Sequence, residues 1–485
     1  MLFFAMSLDC FHMMIVSKYF LTYKDFYRLI QVSTKYSNLL TKFHFNPIPL
    51  TRKTLKFFPR LETLHIYSEK SENFGNTPFL SFPPGSLNLP QKVSKCEIPF
   101  YQVVFWFIVD FGITQLPHNR TKNYVFKNVC YTMDDRIRFG RTIPPIVTIL
   151  GPNSFFGDAK LTSLVVPNLV SGICHNAFGF SKFLRNVTLP NSLIWLKNSV
   201  FESCESLTEI CLPLSLTSIG ESCFVRCISL TSITIPSSIT EIPNFCFSHC
   251  HALQEVLLPN SIVQVGQSSF TNCNKLTVFD VPLQLKTLSL GVLAQCSKLG
   301  SIFIPSCVVF IEKLAFSACF TLSNVIFSEG LISIGQNTFS NCYNIKEINL
   351  PESISYLGPF CFGGCTSLRE INIPNNVTVL ENNVFLNCIS LDKIKMSTRL
   401  SEIGVSCFGG CLNLEQIDMP ESLEKIHNYC FQGCAFLRNI ALPKNVTYVG
   451  GSCFSGCHLL TKIEVYKHFK KEQIKEGKLF IVIKN

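Results

Sequence analysis

The chain has 485 residues, of which 47% are hydrophobic and 15% charged. That composition excludes an intrinsically disordered protein and suits several domains or one long solenoid. The net charge of +10 is uneven: residues 1–142 hold 18 Lys/Arg against 9 Asp/Glu, residues 143–465 hold 18 against 21, and residues 466–485 hold 6 against 2. A near-neutral body with basic ends lacks the continuous basic stripe of a nucleic-acid-binding face, so nucleic acid is not an expected partner.

Residues 1–45 read as helical. Thr22-x-x-Asp25 resembles a capping box with Asp in place of Glu, and Phe26, Leu29, Ile30, Tyr36 and Leu40 follow at roughly helical spacing until Pro47 and Pro49 end the unit. The N-terminus has no basic residue before its apolar run and soon meets Asp9 and His12, which makes a poor secretory signal. Leu61-x-x-Leu64-x-Ile66 is an isolated strand signature. Residues 1–70 thus form a helical leader with one leucine-rich-repeat-like strand. Residues 71–95 are rich in Ser, Asn, Gly and Pro, with a turn at Pro83-Pro84-Gly85, and predict a surface loop. Aromatic and β-branched runs in 97–142 predict strands, so that 71–142 is a loop and mixed capping region. Its most apolar stretch, 100–113, contains Asp110 and falls short of the ~20 apolar residues that span a bilayer. No membrane span is expected.

From residue 143 to 465 one unit repeats. Phe155, Phe178, Phe201, Phe224, Phe247, Phe270, then Leu293, then Phe316, Phe339, Phe362, Phe385, Phe408, Phe431 and Phe454 stand 23 residues apart without insertion or deletion. Counting from each Phe, +3 is usually Cys, +6 Leu, +9 Ile or Val, +11 apolar, +12 Pro, +15 and +18 apolar, and +19 often Gly. Leu-x-x-Ile-x-Ile is a short strand whose +9 and +11 side chains share one face. Pro at +12 has no N–H to donate and ends the strand. One coil cannot bury its own apolar face, whereas stacked coils share a core and pair their strands into one parallel sheet. About fourteen such strands at ~4.8 Å spacing give a sheet of order 65 Å. The Phe segment has room for no more than a turn or two of helix. Residues 466–485 form a basic cap or tail with no prenylation box or retention signal.

The unit L-x-x-I-x-L-P-x-x-L-x-x-I-G-x-x-x-F-x-x-C resembles the BspA-type leucine-rich repeat of oral bacteria and anaerobic protists. Residues 431–449, F-Q-G-C-A-F-L-R-N-I-A-L-P-K-N-V-T-Y-V, follow it closely. The segments Phe43-His44-Phe45-Asn46-Pro47-Ile48 and Leu61-Glu62-Thr63-Leu64-His65-Ile66-Tyr67 look like the leader of amoebic members. The resemblance implies a leucine-rich repeat solenoid with a parallel β-sheet on its concave face, short helical turns opposite, and a helical or mixed N-terminal cap. Bacterial members are surface adhesins toward host matrix proteins, which would make adhesion the alternative role.

Of 24 cysteines, 12 occupy +3 without a break from Cys204 to Cys457, and six more precede the Phe: Cys223, Cys246, Cys361, Cys407, Cys430 and Cys453. Repeat position alone explains a ladder of buried, reduced thiols. Disulfides compete, since coil neighbours stand within bonding range although parallel side chains do not naturally meet. Zinc is a third reading, and structural zinc combines two ligand pairs in a tetrahedral cage. The best local metal candidate is Cys246-x-x-His249-Cys250-His251, where only the two histidines are additional to the repeat. No metal and no cofactor are expected. Neither a phosphate loop, H-E-x-x-H nor G-x-S-x-G occurs, and a pattern that barely breaks leaves no place for a catalytic constellation.

The +8 and +10 positions point out of the core onto the concave face. Most are polar, but Leu257, Val278, Phe303 and Ile326 put apolar groups there on four successive coils, with Glu255 and Asp280 beside them. An apolar cluster with a polar rim is the form of a protein-binding patch. Glu347, Glu370, Lys393 and Lys395 read as a solvated face. The chain therefore reads as a non-enzymatic, monomeric, cytoplasmic scaffold that binds a protein through this patch. The alternatives are a cell-surface adhesin exported by a route the sequence does not display, and an adaptor whose helix over 21–40 resembles an F-box.

Overall fold

The computed structural model describes residues 9–76, 78, 97–466 and 480–484. The expected surface loop at 71–95 and basic tail at 466–485 lie largely outside these residues, as does the start of the N-terminal segment. Two compact units emerge: Met1–Ser154 with Pro167–Gly172, and Phe155–Val166 with Ile173–Asn485.

In the first unit, α1 (Cys10–Ser17) begins at Asp9, whose side chain accepts the His12 N–H. Helix α2 (Tyr23–Val32) begins with the expected capping box, Thr22 and Asp25 bonding reciprocally. It stops at Ser33, where the backbone is extended, and 3-10 turns Thr34–Tyr36 and Leu40–Lys42 follow. The helix expected over 21–40 is therefore ten residues long, because Ser33 spends its side chain on capping the next turn at Lys35 N–H. Phe26 anchors α2, with its ring edge-on to Phe20, Phe43 and Phe58 at 5.0–6.0 Å. Strand β1 (Thr63–Ile66) buries Leu64 and Ile66 as their spacing predicts, and pairs in parallel with β2 (Gln102–Asp110), which pairs with β3 (Tyr124–Tyr131). His65 on β1 stacks on Phe45 at 4.9 Å, and burial pushes its pKa down to about 4, so the ring is neutral at physiological pH.

In the second unit each coil has three hydrogen-bonded sides. The first is the expected strand around +8 to +10. Ser232–Thr234 and Glu255–Leu257 pair in parallel, as do Ser301–Ile304 with Asn324–Phe327, and Glu347–Ile348 with Glu370–Asn372 and Lys393–Lys395. The end of the array pairs Asn439–Ala441, Lys462–Tyr466 and Phe480–Lys484. Burial alternates as the spacing requires, with Ile233 and Val256 inside. Pro at +12 then opens a turn, its carbonyl accepting the +15 N–H, as in Ile239 to Pro236 at 3.0 Å.

One parallel sheet was the expectation, and the structure has a second row of strands at +17 and +18. Thr287–Leu288, Phe310–Ile311, Ser333–Ile334 and Tyr356–Leu357 form one run, and Val379–Leu380, Glu402–Ile403, Lys425–Ile426 and Tyr448–Val449 another. The physical reason is that backbone groups on every buried side of a stacked coil need partners, and only the next coil offers them. The +19 glycine serves this close approach. A Cβ at Gly404 would stand 2.6 Å from the carbonyl carbon of Glu381 and 2.7 Å from the Asn382 nitrogen.

The third side holds turns, not helix. Each Phe is flanked at −2 and +2 by residues in the left-handed region, such as Asn383 (φ 62) and Asn387 (φ 58) around Phe385. Two left-handed residues within five break any helix. They also turn the −2, 0 and +2 N–H groups toward the following coil: Ser199 donates to Glu221 O, Phe201 to Cys223 O and Ser203 to Val225 O at 2.8–2.9 Å. Inside, the Phe rings stack from Phe155 to Phe270 and again from Phe316 to Phe454, with centroids 5.2–5.7 Å apart.

Leu293 interrupts this column, and Phe270 instead packs edge-on against Phe279 at 5.1 Å. Phe279 stands at +9, where the neighbouring coils carry Val256 and Ile302. Leu293→Phe alone is expected to overpack the site and cost about 1–3 kcal/mol. Adding Phe279→Ile should recover most of that loss in urea melts, and equal melts for the single and double variants would show that the two positions do not share volume.

Candidate functional site

The 12 thiols at +3 have one geometry. Each is buried, and its S–H donates to the carbonyl of the Phe-position residue in the preceding coil, as in Cys204 to Phe178 O at 3.2 Å, Cys319 to Leu293 O at 3.2 Å and Cys457 to Phe431 O at 3.1 Å. Ser181 makes the same bond to Phe155 O at 2.7 Å. The position therefore asks for a small side chain with one donor, and its cysteines tie coil to coil. Burial pushes the thiols of Cys250, Cys319, Cys365 and Cys411 up to about 12. The cysteines of the array from Cys204 to Cys457 are free thiols.

Cys246 and Cys250 are fully buried, whereas His251 is exposed and its Nδ1 lies 3.1 Å from Asn272 O. His249 sits on a left-handed turn residue (φ 61) with its ring edge-on to His251. The candidate metal motif is thus divided between core and surface, and among the described residues no group of three or more His, Cys, Asp or Glu is arranged to hold a metal.

The outward face of the first strand row carries the candidate patch. Leu257, Val278, Phe303 and Ile326 are 50%, 58%, 52% and 49% exposed. Phe303 and Ile326 are direct register partners on adjacent strands. Leu257 pairs with Thr234 and stands beside the exposed Glu255. Val278 and Asp280 lie on a segment with no assigned strand, on either side of the buried Phe279. Asp280 takes the +10 place between Leu257 and Phe303, so the apolar row is continuous only from Phe303 to Ile326.

Leu283, 64% exposed on the coil of Val278, was missed because the sequence rule considered strand positions alone. Its signal is an apolar residue at +13, where neighbouring coils carry Ser237, Asn260, Ser306 and Glu329. Also missed were Lys346 and Arg369, which stand at +7 and line a recess of about 600 Å³ with Glu347 and Glu370.

This architecture defines a leucine-rich-repeat solenoid. The model of the BspA type leucine rich repeat region matches residues 148–277, 240–369, 286–411 and 356–476, and the chain belongs to that family. A leucine-rich repeat protein from Bacteroides ovatus is similar at 27% identity over 71% of this chain and 91% of its own, with a TM-score of 0.59. A leucine rich cell surface protein from Faecalibacterium prausnitzii is 26% identical over 67% and 86%, with a TM-score of 0.42. A leucine-rich repeat protein from Eubacterium ventriosum is 18% identical over 68% and 82%, with a TM-score of 0.43. The comparison with curated proteins gave no match. No helix among the described residues is long and apolar enough to cross a membrane.

Proposed function

We propose that this chain is a non-enzymatic interaction scaffold that holds a protein partner on the outward face of its first strand row, at Glu255, Leu257, Val278, Asp280, Phe303 and Ile326. The observation that carries the reading is the pair Phe303 and Ile326, half exposed and side by side on a face whose other outward positions are mostly polar. Large apolar groups held rigidly at the centre of a polar rim are where binding energy concentrates. A cytoplasmic setting suits the free thiols.

Phe303→Asp is the test. The side chain is at the surface, so the variant should melt like the wild type. Recovery of cross-linked partners from cell lysate should fall about ten-fold or more. Equal recovery by a folded variant would remove the patch from consideration.

A further inference from the structure

The face changes character one coil beyond Ile326. The recess there is lined by Lys346, Glu347, Arg369, Glu370, Asp392 and Lys393. Glu347 and Glu370 are register partners on adjacent strands, and Arg369 N–H donates to Lys346 O at 2.8 Å, which sets those two cations side by side as well. Like charges directly opposite one another in a ladder are destabilising. Elsewhere the array joins opposite charges between successive coils, as in Lys182–Glu205 at 2.8 Å, Lys425–Glu402 at 2.6 Å and Arg438–Glu415 at 3.6 Å. In the recess all six charged residues are exposed, and none has an ion pair or side-chain hydrogen bond to another described residue. Over these two coils a cationic pair at +7 and an anionic pair at +8 are thus left without ion pairs, and on the third coil the signs exchange, with Asp392 at +7 and Lys393 at +8 opposite Glu370.

We propose that the recess takes an adjacent basic and acidic residue of a partner polypeptide, an arginine between Glu347 and Glu370 and a carboxylate against Lys346 and Arg369. The same segment seats an apolar side chain on Phe303 and Ile326, so this inference rests on the interaction reading above. A planar guanidinium suits two carboxylates on strands ~4.8 Å apart. The recess begins at Ser323 and Asn324 on the coil of Ile326, and its charged lining starts one to two coils, about 5–10 Å, away, which an extended chain covers in two or three residues. The partner motif is therefore an apolar residue separated by two or three positions from an Arg–Asp or Arg–Glu pair.

A random peptide library displayed on phage and selected on the full chain tests this. Selections should enrich that motif, and a fluorescent peptide carrying it should bind the folded wild type. The charge reversal Glu347→Lys with Glu370→Lys should weaken that peptide about ten-fold or more, with the remaining affinity less sensitive to salt. Unchanged affinity in this variant together with loss in Phe303→Asp would overturn the recess and leave the apolar face standing. Unchanged affinity in Phe303→Asp would overturn the face itself. Enrichment of purely apolar peptides, or of none, would also overturn the recess.

Discussion

Raising the pH to about 10 under reducing conditions is expected to unfold the repeat array. Sixteen buried thiols, from Cys204 to Cys434, have their pKa raised above the ordinary 9.0, chiefly by burial and, at Cys434, first by its hydrogen bond with Cys457. A thiol raised in the folded state binds its proton more tightly there than in the unfolded chain. Its stabilising contribution is whole below pH 9.0 and is lost as pH climbs from there toward the folded value, about 12 for Cys250 and Cys411. Each thiol that stays protonated in the folded chain but ionises in the unfolded one favours unfolding, and many such groups act together against a stability that for ordinary domains is only about 5–15 kcal/mol. Far-ultraviolet circular dichroism and thiolate absorbance should change together in one steep step. An array that kept its dichroism past pH 10 while thiolate absorbance rose as it does for free cysteine would contradict the assignment of these groups to the core.

The second large effect is expected at Phe362. Its ring is fully buried and lies 5.7 Å from both Phe339 and Phe385, nearly parallel to each. Phe362→Ala removes two ring contacts and leaves a cavity that the flanking coils cannot close, because their backbones are tied coil to coil at Phe339, Phe362 and Phe385. The expected loss is about 3–5 kcal/mol. In a linear array stability is the sum of coil and neighbour-interface terms, so a weakened interface should also separate the melts of the two halves. Urea unfolding followed by probes placed on either side of residue 362 should show two midpoints where the wild type shows one. Phe362→Leu should be milder, since the column already accommodates a leucine at 293. A loss under about 1 kcal/mol for the alanine variant would mean that the rings fill space without coupling the coils.

The 23-residue period was enough to read the architecture, because an unbroken period with apolar residues at +6, +9, +15 and +18 has one economical solution: stacked coils with a shared core. Thr22 and Asp25 announced a helix start, and Leu64 and Ile66 announced a strand, through the same local rules. The end of α2 at Val32 was not legible, since Ser33 fits a helix as readily as a cap until the chain around it is folded. At the candidate site, the outward direction of Leu257, Phe303 and Ile326 followed from strand alternation alone. Lys346 and Arg369 escaped notice because no alternation rule places a +7 side chain.

By itself the sequence determined which side chains meet inside: the Phe column, the leucines and the row of small thiols, all fixed by spacing along one coil. Only the tertiary structure decided what passes between coils. The second strand row, the carbonyl that each thiol bonds, and the like charges set side by side in the recess depend on backbone groups and side chains a full coil apart. No pattern within a single unit reports them, because hydrogen bonds and ion pairs are set by distance and direction in space, and those exist only once the coils are stacked.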